Sequence, residues 1–279
     1  MALALLATLC FALLDTVSQY VSKLVPVLLG IWFRYVVQTG LTGALLWPQY
    51  RSSLLRSHHH RWQLGRGLLM VASSTVAFMS LRFIPVGEFT AIMMLVPLVM
   101  TLMAAWMLGE RVHPWTWVLV AGGLTGALVV IRPHGSDFHA GMLLPLLLVV
   151  INAVYQIVTS RMMRTEDPGV THFYTGLVGL VCASLALPWA WDNALLALPW
   201  TVWGALALLG VFGSLGHYLL IHAYKKAPAS RLTPLMYAQI GFATLTGWAA
   251  FGHAPDRWAL LGIALIALCG LLATRLKTS

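Results

Sequence analysis

The stretch PVGEFTAIM, residues 85–93, has a counterpart in PASRLTPLM, residues 228–236. Laid over one another, Pro85 meets Pro228, Thr90 meets Thr233 and Met93 meets Met236, a shift of 143 positions. The same shift carries Gly109 onto Gly252, Trp115 onto Trp258 and Arg132 onto Arg275. Nearer the start of each half the best shift is 137, which puts Asp15 on Asn152 and Gln19 on Gln156. The chain therefore reads as two related halves, residues 1–133 and 139–276.

Composition says where such halves live. Of the 279 residues, 59% are hydrophobic and only 9% charged, with a mean hydropathy of +0.83. Soluble domains carry about a quarter charged residues, so this chain is matched to a bilayer. Apolar runs predict an all-α integral membrane protein of ten transmembrane helices, near 2–22, 27–47, 64–82, 87–108, 114–132, 140–160, 170–190, 201–223, 230–251 and 257–275. Prolines punctuate their boundaries. Five helices per half is an odd number, so the second copy enters the membrane from the opposite side. Such inverted-topology repeats recur in transporters, with the solute site between the halves.

The surplus of 17 Lys+Arg over 8 Asp+Glu does not indicate nucleic acid, because it is spread through short connectors with no dense basic face. It orients the chain instead. With the N-terminus in the cytoplasm, twelve basic residues between Arg51 and Lys277 fall on inside connectors. Four fall outside: Lys23, Arg82, Arg132 and Arg257. Both termini are thus expected in the cytoplasm, in the inner or plasma membrane. No cleavable signal is evident at the start. Cys10, Cys182 and Cys269 lie in apolar runs without metal-site spacing, and His58-His59-His60 reads as a solvated loop. No cofactor motif and no resident metal site is expected.

The run Leu81-Arg82-Phe83-Ile84-Pro85, then Pro97, then Leu108-Gly109-Glu110-Arg111, resembles the signature of the drug/metabolite transporter superfamily, EamA type. Arg34 matches the arginine usual in its second helix. Phe11 to Asp15, Tyr237, and Phe251 to Asp256 resemble a branch that contains carriers of organic cofactors and metabolites. The resemblance spans essentially the whole chain, and it implies ten helices, a central cavity and alternating access without fixing the substrate. Two departures stand out. His253 occupies the place of an acid that usually follows the glycine, and Gln19 lies near a common lysine.

Charge inside a bilayer is costly and marks function by default. Asp15 and Arg34 are the two such residues placed well inside helices. Asp15, Ser18, Gln19 and Ser22 form one polar stripe on helix 1, and Asn152, Tyr155, Gln156 and Thr159 repeat it on helix 6. Either these stripes face one another across a substrate cavity, or they are interhelical hydrogen bonds worth ~1 kcal/mol each. Arg34 either clamps Asp15 or meets an anionic group of the solute. His217, Tyr218 and Tyr237 complete the candidate substrate-binding set, with Gln239 beside them, while Glu88 and Arg231 read as interfacial charges or gates. Gly122 and Gly126 form a G-x-x-x-G pair for close packing, inside the bundle or between two copies in a homodimer.

A secondary carrier needs no catalytic motif, and none appears. Its energy would come from a proton gradient or an exchanged solute. Few full charges in the core favour a small amphipathic metabolite, such as an amino acid or a vitamin-like heterocycle, as the small-molecule partner. The alternative from another class is an integral-membrane enzyme acting on a lipid or isoprenoid. Such enzymes cluster Asp and His on interfacial loops, whereas here the acids are scattered singly.

Overall fold

The computed structural model describes residues 2–99, 103, 114–132, 138–162, 165–192, 195, 197–226 and 235–276. Among them run ten α-helices: α1 (Ala2–Ser22), α2 (Val27–Tyr50), α3 (His60–Ser80), α4 (Val86–Met93), α5 (Pro114–Ile131), α6 (Leu144–Met162), α7 (Pro168–Ala186), α8 (Trp200–Lys226), α9 (Ala238–Phe251) and α10 (Arg257–Leu276). Segments within Ala2–Ser22, Ala140–Thr159, Pro168–Trp189 and Trp200–Leu220 are long and apolar enough to cross a membrane. Shorter apolar helices cover Val86–Val99, Trp117–Ile131 and Arg257–Ala273. The Leu108–Arg111 motif, Pro228, Arg231 and Thr233 lie outside the described residues.

Local chemistry sets the ends. Asp167 caps α7 by accepting from the N–H groups of Gly169 (2.7 Å) and Val170 (3.2 Å), with Pro168 at the first helical position. Gly252 ends α9 at φ 72°, where a side chain would be strained, and its N–H reaches the Trp248 carbonyl at 2.8 Å.

The helix expected from 87 to 108 is interrupted at Met94–Leu95. Pro97 has no N–H to donate, and the Leu98 N–H turns to the Leu95 carbonyl (3.0 Å). The Met94 carbonyl accepts instead from the Tyr237 hydroxyl at 3.3 Å. Tyr237, expected in the substrate site, thus repairs a helix break.

Two groups of connections mark the two ends of the bundle. At the first, the Arg82 guanidinium donates to the Val25 carbonyl (3.0 Å), Phe83 stacks on His139 (4.5 Å) and Arg132 pairs with Asp256 (2.7 Å). At the second, Tyr50 donates to Asp167 (3.0 Å) and the Tyr174 hydroxyl donates to the Leu55 carbonyl (2.6 Å). We call these the α1–α2 end and the α2–α3 end. Exposed tryptophans gather near both: Trp189, Trp200 and Trp258 near the first, Trp47, Trp62 and Trp115 near the second. Indoles favour the headgroup level at each face of a bilayer.

Helices of one half pack mainly on helices of the other. The principal pairs are α1 with α8 and α9, α2 with α7 and α8, α3 with α6 and α7, α4 with α6 and α9, and α5 with α10. Glycines allow the closest approaches. A Cβ on Gly262 would lie 2.6 Å from the Gly126 carbonyl oxygen, and one on Gly122 would lie 2.8 Å from Cys269 Sγ. The G-x-x-x-G pair is therefore spent on α10 within the bundle, which removes the sequence basis for a dimer contact. Gly176 of α7 likewise admits Thr39 of α2, where a Cβ would come within 2.7 Å of its hydroxyl.

Candidate functional site

Asp15 lies half-buried on α1, its Oδ2 accepting from Thr90 Oγ1 (3.3 Å) and Gln239 Nε2 (3.4 Å). The carboxylate so ties α1 to α4 and α9. One turn on, the Gln19 amide donates to the Ile84 carbonyl at 3.1 Å. Arg34 on α2 donates to Ser74 Oγ at 3.1 Å, and the same hydroxyl lies 2.9 Å from that of Tyr35. Asp15 and Arg34 line one small cavity of about 20 Å³ with Ser18 and Ser74. No ion pair joins them, so the anticipated clamp is not formed. An ion pair does form at the α1–α2 end, between Arg132 and Asp256.

The two polar stripes do not face one another. α6 packs on α3 and α4, which stand between it and α1. Asn152 donates to Ser73 Oγ at 3.0 Å, and Gln156 turns to the exposed surface. Tyr155 and Thr159 serve a residue that sequence reasoning counted as a connector charge. Arg66, 4% exposed, donates to the Tyr155 hydroxyl (2.6 Å), Thr159 Oγ1 (2.7 Å), the Thr171 carbonyl (3.0 Å) and Thr175 Oγ1. Its acceptors are all neutral oxygens, and its guanidinium lies 4.8 Å over the Tyr155 ring. Arg66 sits within α3 only a turn and a half from its start, which made it resemble a loop residue.

The remaining polar groups converge where α2, α7 and α8 meet. Arg34, Gln38 and Thr42 recur at i, i+4 and i+8 on one face of α2. A Cβ on Gly213 of α8 would lie 3.4 Å from Arg34 Nε, and the Thr42 and Ser214 hydroxyls are 3.5 Å apart. His217, one turn beyond, meets Phe11 edge-on (5.0 Å) and faces His172 of α7 at 6.2 Å. Arg34 and His217 were expected here; Gln38 and His172 were not. Their signal was the polar repeat on α2 and a lone histidine between Thr171 and Thr175. Tyr218 instead meets His222 at a tilt of 41°, ring centroids 4.2 Å apart.

Both ends carry closing contacts. At the α2–α3 end, Glu166, 6% exposed, accepts from Ser57 Oγ (2.9 Å), the His59 N–H (2.9 Å) and Gln63 Nε2 (3.4 Å). At the α1–α2 end a cavity of about 180 Å³ is bordered by Gln19, Glu88, Thr244 and His253 as well as the Arg132–Asp256 pair. Asp256 also caps α10 by accepting from the Ala259 N–H at 2.8 Å. That bond, and then Arg132, hold its carboxyl below the ordinary carboxylate range. Asp256 is thus already engaged, and His253 is exposed beside it.

Against this geometry stand the known proteins that the chain resembles. The model of the EamA-like transporter family matches residues 1–132 and again 139–275. A riboflavin transporter of Vibrio cholerae is 29% identical over 98% of this chain and 92% of its own length. An S-adenosylmethionine uptake transporter of Rickettsia bellii is 26% identical, over 78% of this chain and 73% of its own. A solved crystal structure at 22% identity superposes with a TM-score of 0.70 over 100% of this chain and 99% of the other, which shows a shared fold. These relatives lend no support to the lipid-enzyme alternative. With a family match across both halves, the chain belongs to the EamA-like transporter family.

Proposed function

We propose that this protein is a secondary carrier moving a small, amphipathic, vitamin-like organic metabolite across the cytoplasmic membrane by alternating access. The observation that carries this reading is the resemblance, over almost the whole length of both chains, to proteins named as transporters of riboflavin. The polar junction of α2, α7 and α8 supplies a place for the solute, since intramembrane ionisable groups gather along substrate paths. The cavity beside Asp15 and Arg34 holds little more than one water. Entry of a metabolite therefore requires helices to part.

The packing supports two halves of inverted topology, residues 1–133 and 139–276. Exchanging each of α1–α5 with its counterpart in α6–α10 turns the α1–α8 contact into α6–α3, α1–α9 into α6–α4 and α2–α8 into α7–α3. It maps α2–α7, α4–α9 and α5–α10 onto themselves. Every pair so generated is a contact of the bundle. Both termini lie in the cytoplasm in this reading, because the basic bias survives the removal of Arg66 to the interior. No ATP-binding motif is present in the sequence, so a proton gradient or an exchanged solute drives the cycle.

Purified protein in liposomes is expected to show saturable uptake and counterflow of one member of a metabolite panel containing riboflavin and S-adenosylmethionine. Measurements with and without a pH gradient separate proton coupling from exchange. Absence of both uptake and counterflow across the panel, with protein correctly inserted, overturns the carrier reading.

A further inference from the structure

Inside the bundle, three side chains on neighbouring helices hold polar atoms that no other group among the described residues engages. They are Nε of Arg34, both the nitrogen and the oxygen of the Gln38 amide, and Nε2 of His172. Gln38 is 1% exposed and His172 5%. Buried polar groups in folded proteins are almost always hydrogen-bonded, and leaving one without a partner forfeits its hydration with nothing in return. Two other such atoms have local settings: Thr39 Oγ1 sits against Gly176, and Gln63 Oε1 belongs to the Glu166 network. Arg34 and Gln38 instead share with Thr42 one face of α2, which meets α8 at Gly213 and Ser214, while His172 of α7 faces His217 of α8.

Their chemistry is selective. Arg34 Nε offers a donor, Gln38 a donor and an acceptor side by side, and His172 Nε2 either role according to its tautomer. A carboxylate would satisfy the donors and leave Gln38 Oε1 without a partner. An ammonium group would satisfy that oxygen but would meet the Arg34 charge. A cyclic imide, with its carbonyl, N–H and carbonyl in a row, satisfies the set: the N–H donates to Gln38 Oε1 while the flanking carbonyls accept from Gln38 Nε2 and from Arg34 or His172. We propose that Gln38 is the specificity residue of the solute site, reading the cyclic imide or amide edge of a planar heterocycle with Arg34 and His172 at its flanks. This deepens the carrier reading, on which it rests.

The test uses intrinsic flavin fluorescence with the purified full-length protein, comparing riboflavin with its N3-methyl derivative, which keeps the ring and blocks the imide N–H. A site built around a hydrogen bond rejects the analogue lacking it. Wild type is expected to bind riboflavin roughly tenfold or more tightly than the methylated form. Gln38→Leu should bring the two affinities together. It should leave the unfolding temperature of the ligand-free protein unchanged or raised, because a polar pair without partners is replaced by an apolar group. A structural role for Gln38 would lower it. Arg34→Lys, which keeps the charge and loses Nε–H, should also weaken riboflavin. Equal affinity of wild type for the two flavins, no riboflavin binding, or a Gln38→Leu variant that keeps the preference or loses thermal stability overturns the proposal. Liposomes that move another metabolite while riboflavin fails to bind retain the carrier and remove the imide site. Selective flavin binding without any uptake does the reverse.

Discussion

Arg66, buried, and Arg34, half-buried, show how differently two cations are treated in one bundle. Arg66 reaches four neutral oxygens across α6 and α7 and acts as a staple. Arg34 donates to Ser74 and keeps Nε without a partner among the described residues. The first arrangement is structural, the second is suited to a solute. Three of the oxygens around Arg66 have other bonds: Thr159 donates to the Tyr155 carbonyl, and Thr175 to that of Thr171. The Tyr155 hydroxyl is the contact with no such substitute. Tyr155→Phe is expected to destabilise the detergent-solubilised protein by about 1.5–3 kcal/mol, the usual worth of a hydrogen bond to a charged group. Chemical denaturation checks this, and a shift within about 0.5 kcal/mol of wild type, the ordinary scatter of neutral substitutions, removes the staple.

At the scale of elements, the contact of α5 with α10 depends on backbone meeting backbone. Because a Cβ on Gly262 would lie 2.6 Å from the Gly126 carbonyl oxygen, no side-chain rotation can relieve Gly262→Ala. The two helices must separate, at a cost of about 1–3 kcal/mol for an overpacked contact. Gly241 of α9 supplies the control, since nothing lies within 4 Å of the Cβ it would acquire. Gly241→Ala is expected to be neutral or to stabilise by about 0.4–1 kcal/mol. Thermal unfolding of the two variants in detergent measures the contrast. Equal midpoints would mean that the helices slide past one another freely at this crossing. The break that follows α4 has a local cause: Pro97 removes a donor, and Tyr237 supplies one to the Met94 carbonyl that the turn leaves free.

For the whole molecule, the orientation inferred from basic residues gives a direct expectation. A cysteine placed at His59, after removal of Cys10, Cys182 and Cys269, should be protected from an impermeant thiol reagent in intact cells and labelled once the membrane is opened. His59 is exposed and its connector lies at the α2–α3 end. Labelling in intact cells reverses the orientation and, with it, the side on which the Glu166 contacts close the bundle. The two ends are closed by different means. Glu166 accepts from neutral donors at one, and Arg132 pairs with Asp256 at the other. The contacts broken during a transport cycle therefore differ from one side of the membrane to the other.

The all-helical, membrane-matched class was legible in the sequence, because it rests on local periodicity and on apolar content that a bilayer alone accommodates. Asp15, Arg34 and His217 were legible for the same reason, as polar groups in apolar helices. Which partner each residue meets was not. The spacing of Asn152, Tyr155 and Gln156 gives a face of α6 but not the helix opposite it. Only the packed bundle sends Tyr155 to Arg66 and Gln156 to the surface. Arg66 read as a connector charge because sequence gives distance from a helix end, not depth in the bundle. Gln38 read as one polar residue among many, until packing enclosed its amide without giving it a partner among the described residues. Burial and hydrogen-bond partners are properties of contacts between segments far apart in the chain, and tertiary structure alone decides them.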